Sequence, residues 1–432
     1  MTTCKAVLIS APASGQGKTF ITAALARAWR NQGLRVQAFK CGPDFLDPMI
    51  LEVATGRPVY NLDFTMCGES DGEAQLYRAA QHADLIIVEG VMGLYDGTPS
   101  SADIAVRFNL PVLLTIDASG MAQTFGAVAK GLLSHYPHLK PAGVLANKVG
   151  SVGHGKLLHD SLPSHLNWFG ALQKNEALSL PERHLGLFCA SEMSDLDQKI
   201  EEAANALTQD LPLPPTVTFN TPITLPPPKL LDGKTIAIAK DEAFCFIYQA
   251  NLDCLIEMGV KLEFFSPLHD QSLPKADAYW LPGGYPELHL NEISANSAMK
   301  NSLQAAFDAN KPILAECGGM MALSTHLNNE PCFDLLPGVS KIEDRLQGLG
   351  SLKVALLNEE LGAHTFHYGS FTTELPPIAT AKTRFGKVEN IYQHGSILAS
   401  FLHFYFASNP RLAAQLFTPL LHQGEPSVFN QI

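Results

Sequence analysis

Short runs of β-branched and aliphatic residues alternate with longer amphipathic stretches along both halves of this 432-residue chain. The runs have the length of strands, and the stretches have the length and apolar spacing of helices with one buried face. Alternation of this kind predicts parallel sheets covered by helices. The apolar runs are residues 6–9, 34–39, 84–88, 111–116, 142–146, 235–239, 277–281 and 312–315, and the clearest helical stretches are 18–33 and 296–310.

A proline-rich segment interrupts this alternation near the middle of the chain. Residues 211–228 read LPLPPTVTFNTPITLPPP, and proline fixes φ and removes a backbone donor, so no regular element is expected to run through them. A chain of 432 residues also exceeds what one hydrophobic core usually organises. We therefore predict two α/β domains, over residues 1–210 and 233–432, joined by a linker at 211–232.

Composition narrows the range of partners and compartments. The net charge of −12 argues against nucleic acid as the main partner, because phosphate backbones bind to fields of Lys and Arg. The 8 cysteines include no C-x-x-C pair, which favours reduced thiols over a disulfide framework or a zinc site. No run of about 18 apolar residues occurs and no signal-peptide pattern opens the chain, so we expect a soluble cytoplasmic protein.

The first apolar run leads into a glycine-bearing turn and then into a helix-like stretch. Backbone N–H groups of such a turn can wrap a phosphate at a helix N-terminus, a lysine can reach the terminal phosphates, and a threonine hydroxyl can bind magnesium. Pro12 stands where the strict phosphate-loop pattern has glycine, and a structural turn with a solvated lysine is the alternative. The turn reads S-G-Q-G-K-T and offers Ser14, Gly15, Gly17, Lys18 and Thr19.

Three carboxylates follow the next apolar runs. Asp44 and Asp47 lie in the sequence F-K-C-G-P-D-F-L-D-P together with Lys40, and Glu89 follows the run at 84–88. In a parallel α/β sheet, residues at the carboxyl ends of strands face the ligand crevice. Carboxylates in that place suit magnesium, or a substrate whose charge changes during reaction. Gly-Pro-Asp and Asp-Pro are also ordinary turn sequences, which leaves a structural role open for the two aspartates.

Cys317 follows the apolar run at 312–315 and precedes two glycines and a helix-like stretch. This is the arrangement of a nucleophile elbow, which exposes one side chain above a sheet and points backbone N–H groups at the reacting carbonyl. We expect a helix N-terminus there to lower the pKa of the thiol. A buried structural cysteine is the alternative. Spacing does not select a base among the histidines of the second half, which are residues 269, 289, 326, 364, 367, 394, 403 and 422.

Five motifs, in this order, resemble the cobyrinic acid a,c-diamide synthase family. They are S-G-x-G-K-T, F-K-C-G-P-D-F-L-D-P, N-L-D at 61–63, E-G-V-M-G-L-Y-D-G at 89–97 and P-E-R-H-L-G-L at 181–187. The resemblance implies an N-terminal phosphate-loop domain similar to dethiobiotin synthetase and a C-terminal α/β domain similar to class I glutamine amidotransferases. The chain departs from the family at Ala11, where the family loop starts with glycine.

For the first domain, the resemblance implies ATP-dependent activation of a carboxylate as an acyl phosphate, with Mg²⁺ as cofactor. Ammonia then attacks the acyl phosphate, because phosphorylation gives the carboxylate a leaving group. The matching positions are Lys40 for the nucleotide, Asp44, Asp47 and Glu89 for catalysis, Thr19, Asp47 and Glu89 for magnesium, and Phe45 and Leu46 for the macrocycle.

For the second domain, the resemblance implies that Cys317 attacks the side-chain amide of glutamine and releases ammonia. The segment S-I-L-A-S-F-L-H-F-Y-F-A-S-N-P at 396–410 is similar to a family motif whose first histidine activates the cysteine, and this selects His403. The turn P-G-G-Y resembles the oxyanion loop of the class, so N–H groups at Gly284 and Gly318 would bind the oxyanion.

Two further positions bear on the glutaminase. Tyr405 stands where triad-type amidotransferases have glutamate, so we expect Cys317 and His403 to work as a dyad. The segment H-T-F-H-Y at 364–368 carries two histidines three apart, and in a strand these point to opposite faces, which disfavours a metal site. It is similar to a family motif, G-H-x-F-H-Y-S, with Ala363 in place of glycine, and we expect it near the interdomain substrate site.

The sequence thus predicts an ATP- and glutamine-dependent ligase that amidates the a and c carboxylates of cobyrinate, or of cobalt-free hydrogenobyrinate, in cobalamin biosynthesis. Its partners would be ATP, L-glutamine and the corrinoid, and a homodimer is one candidate assembly. The choice of macrocycle as the substrate rests on the resemblance alone, which leaves nickel-sirohydrochlorin as an alternative substrate. The other hypotheses are an ammonia-only ligase and a non-catalytic phosphate-loop switch with an inert glutaminase-like domain.

Overall fold

The structure is a computed structural model, and it describes residues 1–175, 182–183, 186–187, 189–207, 211–223 and 226–419. The chain divides into two compact units: Met1–Phe64 with Glu69–Thr224, and Thr65–Gly68 with Leu225–Ile432. Part of the P-E-R-H-L-G-L motif, at 181, 184 and 185, lies outside the described residues, and so does His422.

The first unit alternates strands and helices, as its apolar pattern predicts. Its strands are β1 (Thr2–Ser10), β2 (Val36–Cys41), β3 (Tyr60–Leu62), β4 (Leu85–Glu89), β5 (Val112–Asp117), β6 (Pro141–Val149), β7 (Trp168–Gln173), β8 (Glu182–Arg183), β9 (Gly186–Leu187) and β10 (Thr216–Phe219). Its helices are α1 (Lys18–Asn31), α2 (Leu46–Thr55), α3 (Glu69–His82), α4 (Ser101–Arg107), α5 (Thr124–Ser134), α6 (Val152–Asp160) and α7 (Leu196–Ala206).

One large sheet organises this unit. Its strand order is β3-β2-β4-β1-β5-β6-β7, and these strands run parallel, while β10 pairs antiparallel with the start of β1. Side chains of β1 alternate between two cores, with Leu8 on one face and Val7 and Ile9 on the other. Burial of both faces explains why the strand reads as a continuous apolar run.

The second unit combines a similar parallel sheet with smaller antiparallel ones. Its strands are β11 (Thr235–Ala239), β12 (Lys261–Phe265), β13 (Ala278–Leu281), β14 (Ile313–Glu316), β15 (Ser324–Leu327), β16 (Glu330–Pro331), β17 (Leu336–Ile342), β18 (Gly348–Leu356), β19 (Glu359–His367), β20 (Gly369–Thr372), β21 (Pro377–Lys382), β22 (Val388–His394), β23 (Ile397–Ser400) and β24 (His403–Tyr405). Its helices are α8 (Gln249–Glu257), α9 (Leu290–Ala295), α10 (Ser297–Asp308), α11 (Gly318–Leu323) and α12 (Pro410–Gln415).

The main sheet of the second unit has the order β12-β11-β13-β14-β23-β22-β21. The strands from β12 to β23 run parallel, and β22 and β21 continue the sheet antiparallel. A separate three-stranded sheet, β18-β19-β24, carries the H-T-F-H-Y segment beside the strand that begins with His403.

The strand orders bring the sequence motifs together at strand ends. In the first unit, β2, β4 and β1 are neighbours, so Lys40, Glu89 and the glycine-bearing turn share one edge. In the second unit, β13 and β14 are neighbours, and they lead into the P-G-G-Y turn and Cys317. The predicted α/β fold class is confirmed. No helix in the described part of the chain is long and apolar enough to cross a membrane.

Candidate active sites

The phosphate loop of the first unit lies between the end of β1 and the start of α1. Gly15 and Gly17 have φ of 74° and 80°, a conformation that other residues rarely adopt. A Cβ on Gly17 would lie 2.6 Å from Nδ2 of Asn147, and that amide donates to the Gln16 carbonyl at 2.9 Å. Lys18 Nζ donates to the Ala13 carbonyl at 3.3 Å. The loop is therefore held as a concave turn of backbone around the lysine.

Ala11, where the chain departs from the family pattern, does not distort this loop. Its side chain is fully buried, and its carbonyl accepts from the Leu94 backbone N–H at 2.9 Å. The positive φ angles of the loop fall on Gly15 and Gly17 rather than on Ala11. Alanine therefore meets no conformational penalty here, because only a positive φ would demand glycine.

A buried cluster of one ammonium and two carboxylates lies beside the loop. Lys40 Nζ lies 2.5 Å from Oδ2 of Asp47 and 3.1 Å from Oε1 of Glu89, and the same Glu89 oxygen accepts from the Thr19 hydroxyl at 2.7 Å. The Lys40 side chain is 3% exposed and that of Glu89 is fully buried, so water screens these charges little. In the described part of the chain, the second oxygen of Glu89 is buried without a hydrogen-bond partner.

The charged groups of the cluster shift one another's pKa values. Burial opposes ionisation of Lys40, but Asp47 and Glu89 outweigh it and raise the pKa of the ammonium well above its usual value. Burial likewise opposes the charge of Asp47, and Lys40 reverses this and lowers its pKa. Burial, reinforced by Asp47, raises the pKa of Glu89 to about 8. The cluster thus holds a permanent cation, a permanent anion and one carboxyl that titrates near neutrality.

Asp44 plays the structural part that its turn sequence suggests. Its Oδ1 accepts from the backbone N–H groups of Leu46 and Asp47, at 2.9 and 3.1 Å, which fixes the start of α2. The Asn61 amide donates to the Gly42 and Asp44 carbonyls, at 2.9 and 3.1 Å. Burial, with the charge of Asp47, raises the pKa of Asp44 to about 7. A structural role and a place beside the reactive cluster therefore coexist in one residue.

Cys317 of the second unit has the strained backbone of a nucleophile elbow. Its φ is 45° and its ψ is −106°, an arrangement that costs on the order of 1–3 kcal/mol for a non-glycine residue. Its backbone N–H donates to the Ser400 carbonyl at 2.7 Å, which ties the elbow to β23. Backbone strain confined to one residue is often found at a functional position.

His403 and Cys317 flank a single glycine. A Cβ on Gly283 would overlap the His403 ring at Cε1 and would lie 3.3 Å from the Cβ of Cys317. A Cβ on Gly318 would lie 2.9 Å from the backbone nitrogen of Gly284. The nucleophile and the predicted base thus lie close to Gly283, and the two predicted oxyanion residues lie next to each other.

A second histidine packs on the predicted base. The rings of His364 and His403 are stacked, with centroids 4.7 Å apart and planes 15° apart, because β19 and β24 pair them directly. The Tyr248 hydroxyl lies 2.8 Å from Nδ1 of His364. Burial lowers the pKa of both imidazoles, that of His364 to about 3. The stacked pair is therefore uncharged at neutral pH, and His403 is in the form that can take a proton.

A buried carboxylate lies next to the nucleophile in sequence. Glu316 ends β14 and is 1% exposed. Its Oε1 accepts from the Phe404 backbone N–H at 2.9 Å, and its Oε2 accepts from the Trp280 indole N–H at 3.0 Å. Burial raises the pKa of Glu316 to about 8, against the opposing effect of these two donors.

Comparison with known proteins identifies the family. The model of the CobQ/CobB/MinD/ParA nucleotide binding domain matches residues 7–188, and that of the CobB/CobQ-like glutamine amidotransferase domain matches residues 235–411. A protein of Stutzerimonas stutzeri (strain A1501), named hydrogenobyrinate a,c-diamide synthase, is 51% identical over 96% of this chain and 99% of its own length. The chain belongs to the cobyrinate and hydrogenobyrinate a,c-diamide synthase family.

Two more relatives support this a,c-diamide synthase family. The hydrogenobyrinate a,c-diamide synthase of Pseudomonas aeruginosa (strain PAO1) is 49% identical over 96% of this chain and 98% of its own length. The cobyrinate a,c-diamide synthase of Herminiimonas arsenicoxydans is 44% identical over 96% of each chain. The predicted family and the class of glutamine-using amide synthase are confirmed, while the roles of individual residues stay predictions.

One prediction about this family member is wrong. The helix after Cys317 was expected to lower the pKa of the thiol, but burial raises that pKa far above its usual value, and the charge of Glu287 adds to the rise. The helix α11 has only 6 residues and a buried start, so its dipole does not outweigh desolvation. In the ligand-free protein Cys317 is therefore a thiol, and a base has to remove its proton to form the thiolate.

Several residues of the two sites were not predicted from the sequence. Asn147 follows the apolar run at 142–146, a position that signals a strand end but does not reveal its bond to the phosphate loop. His364 was placed in a strand but not on the face of His403. Glu316 was passed over beside Cys317, although a carboxylate that ends a buried strand is itself a signal.

Proposed function

We propose that this protein amidates the a and c carboxylates of hydrogenobyrinate or cobyrinate, with ATP and glutamine as cosubstrates, in cobalamin biosynthesis. The observation that carries the proposal is similarity along almost the whole chain to proteins named for this activity, at 51% and 49% identity. We also propose that residues 1–210 form the synthetase domain, that 211–232 form the linker and that 233–432 form the glutaminase domain. Contrary to the prediction from its proline content, the linker is not free of regular structure, because Thr216–Phe219 between the prolines forms β10 and pairs with β1. The cytoplasm, where ATP and glutamine are available, is the proposed compartment.

The first step in this proposal is activation of a substrate carboxylate. A carboxylate is a poor electrophile, and transfer of the terminal phosphoryl group of ATP converts it to an acyl phosphate. The concave backbone around Gly15 and Gly17 suits a phosphate, and Lys18 can turn from the Ala13 carbonyl to the terminal phosphates. Lys40 keeps its charge at every relevant pH, so it can stabilise the negative charge that develops during transfer.

The residues beside the loop fit magnesium. The Thr19 hydroxyl donates its hydrogen bond to Glu89, which leaves the lone pairs of the hydroxyl oxygen for a cation. The second Glu89 oxygen is buried without a hydrogen-bond partner in the described structure. A hydroxyl and carboxylates are the ligands that Mg²⁺ prefers. We propose that Thr19 and Glu89, with Asp47, hold the ion, which would neutralise charge on the nucleotide phosphates. Among the described residues no group of three or more His, Cys, Asp and Glu is arranged for a metal, and in the ligand-free site Lys40 contacts both Asp47 and Glu89.

Asp44 and Asp47 act, in this proposal, on the substrate that is being activated. Asp44 and Phe45 lie in the loop between β2 and α2, and Leu46 and Asp47 lie in the first turn of α2. Leu46 is partly exposed, whereas Phe45 is 8% exposed, so Leu46 offers the more accessible apolar contact for a macrocycle. Loss of either carboxylate is expected to lower turnover more than substrate affinity.

The second unit supplies ammonia in this account. The Sγ of Cys317 attacks the side-chain amide carbon of glutamine while His403 takes the thiol proton. The backbone N–H groups of Gly284 and Gly318 stabilise the oxyanion, and His403 returns the proton as ammonia leaves. Water then hydrolyses the thioester to glutamate. Because both groups are neutral in the resting site, one proton transfer creates the thiolate and the imidazolium together.

Product mass spectrometry with three macrocycles in parallel tests the proposed function. Cobyrinate, hydrogenobyrinate and nickel-sirohydrochlorin would each be incubated with ATP, Mg²⁺ and glutamine. We expect two carboxylates to become amides in hydrogenobyrinate or cobyrinate, and glutamate to accumulate in proportion. Amidation of nickel-sirohydrochlorin alone would move the substrate assignment to that macrocycle. Absence of glutamate release with every substrate would contradict the ligase and favour an inert glutaminase-like unit.

A further inference from the structure

Glu316 lies at the junction of the three strands that carry the glutaminase site. It ends β14, directly before Cys317. The indole that donates to it, Trp280, lies on β13, which leads into the P-G-G-Y turn with Gly284. The backbone N–H that donates to it belongs to Phe404, the residue after His403 on β24. The Glu316 side chain therefore links the end of β14, which precedes the nucleophile, to the strand that leads into the oxyanion turn and to the strand that carries the base.

These contacts require a carboxyl group. Both partners are N–H donors, so the group between them has to accept on two oxygens at once. Glutamine has the same shape, but its amide nitrogen would face one of the two donors and leave it unsatisfied. Leucine has a similar size and would leave both donors unsatisfied in a buried place.

Stability alone does not account for a carboxylate in this place. Glu316 is 1% exposed, and burial disfavours its charged form, which raises its pKa to about 8. Replacing a buried acceptor together with its donors by apolar groups of the same shape can be nearly neutral in stability. What the carboxyl group adds is geometry, because its two contacts lie 36 and 88 residues away in the sequence and tie the end of β14 to β13 and to β24.

We propose that Glu316 is a positioning residue of the glutaminase, which holds His403 and the oxyanion turn in register with Cys317. It substitutes in this respect for the triad glutamate, whose place Tyr405 occupies, but it acts through the Phe404 backbone and not on the imidazole. The inference rests on the proposed glutaminase function. A displacement of about 1 Å in an active site can cost about a hundredfold in rate, so loss of this support should act mainly on turnover.

The test compares Glu316→Gln and Glu316→Leu with the wild-type protein. For each, glutamate release would be measured at varied glutamine, and amidation of hydrogenobyrinate would be measured with ammonium in place of glutamine. We expect kcat for glutamate release to fall about 10-fold in Glu316→Gln and about 100-fold in Glu316→Leu, with KM for glutamine changed by less than about threefold. Ammonium-dependent amidation should stay at the wild-type rate, because the first unit is intact.

Asn296→Ala is the matched control. Asn296 is buried in the same unit. Its side chain donates to the Pro267 and Asp270 carbonyls and accepts from the Met299 N–H, and none of these three partners lies on β13, β14 or β24. This variant should lose thermal stability while kcat for glutamate release stays near the wild-type value. Wild-type kcat in folded Glu316→Leu, or an Asn296→Ala protein that loses kcat as much as Glu316→Leu does, would overturn the positioning role. Absence of glutamate release by the wild-type protein would instead overturn the proposed function.

Discussion

At the scale of single residues, Lys40 is the centre of the first site. Its side chain is 3% exposed, and its ammonium contacts Asp47 and Glu89 and compensates the buried negative charge of Asp47. Removing one partner of a buried ion pair typically costs about 3–5 kcal/mol, whereas replacing the whole group can be neutral. The residue that is proposed to bind phosphate therefore also stabilises the ligand-free fold.

Lys40→Met tests this double role. We expect the free energy of unfolding of the first unit to fall by about 3–5 kcal/mol in urea denaturation, because the charged Asp47 loses its counter-charge. Glutamine-dependent and ammonium-dependent amidation should both be lost. The double variant Lys40→Met/Asp47→Asn is the control and should recover part of the stability but no activity. Wild-type stability in Lys40→Met would show that the buried pair contributes nothing.

The pKa of Glu89 gives a prediction on pH. A folded-state pKa of about 8, above the ordinary value of 4.5, means that the folded protein binds a proton which the unfolded chain has released between these values. Stability contributed by this group therefore falls as pH rises through that window. The window from pH 6.5 to 8 is informative, because folded His364 and His403, whose pKa values are lowered by burial, stay neutral there. Their unfolded forms titrate near pH 6.5 in the wild-type protein and in any Glu89 variant alike, so that contribution cancels when the two are compared.

Melting temperatures of the ligand-free wild-type protein and of Glu89→Gln, taken from pH 6.5 to 8, measure this effect. The wild-type value should decline relative to that of the variant as pH rises, because glutamine has no proton to lose. Asp44, with a pKa raised to about 7, adds a decline of the same sign in both proteins and cancels in the comparison. A difference between the two proteins that does not change with pH would refute the buried, titrating state of Glu89.

At the scale of elements, the turn after β13 is the least tolerant part of the second site. Gly283 lies between the ring of His403 and the Cβ of Cys317, so even one added methyl group would displace the base. Gly284 next to it has a φ of 156°, and a Cβ there would overlap the Ala243 carbonyl. The turn must consist of backbone alone, which is what a space for a substrate amide requires.

Gly283→Ala should abolish glutamate release while ammonium-dependent amidation continues. Gly233→Ala is the matched control, since Gly233 is an exposed turn residue with φ of 73° and no atom within 4 Å of an added Cβ. The control should lose about 1 kcal/mol of stability from backbone strain and keep its glutaminase activity. Equal glutaminase activity in the two variants would mean that Gly283 is not in the reactive space.

The elements also show what sequence patterns can and cannot predict. The runs around Val7 and Ile236 are continuous and apolar, so parallel strands with two covered faces were predictable. The second strand was predicted at 34–39 but spans Val36–Cys41, because Leu34 still bonds back to Trp29 at the end of α1. Strand ends depend on such local hydrogen bonds, which the apolar pattern does not contain.

The candidate sites show the same limit: features with a local sequence signal were predictable, and contacts made through tertiary packing were not. The placement of Lys18 and Cys317 at the start of a helix after a strand was predictable, because strand, glycine and helix signals meet at each of them. The partners of Glu316 lie far away in the sequence, and so does His364, whose ring reaches His403 through strand pairing. The thiol pKa of Cys317 was predicted in the wrong direction, because a local signal, the helix start, was weighed without the burial that tertiary packing imposes.

At the scale of the whole molecule, two units with separate cores carry the two proposed sites. The phosphate loop and Lys40 belong to one unit, and Cys317, His403 and Glu316 belong to the other. A defect in ammonia release should therefore leave carboxylate activation intact when ammonium is supplied. This separation distinguishes a glutamine-dependent ligase from an ammonia-only ligase and from a switch protein, since neither of these would release glutamate through Cys317.

The most direct test of this account traces the amide nitrogen of glutamine into the product. Hydrogenobyrinate and cobyrinate would be incubated with ATP, Mg²⁺ and glutamine labelled with heavy nitrogen in its amide, using the wild-type protein and Cys317→Ala, and the products would be weighed by mass spectrometry. We predict a diamide that carries two heavy nitrogens with the wild-type protein, none with Cys317→Ala, and an unlabelled diamide when ammonium is given to that variant. A labelled diamide from Cys317→Ala, or no diamide from the wild-type protein with either macrocycle, would contradict the account.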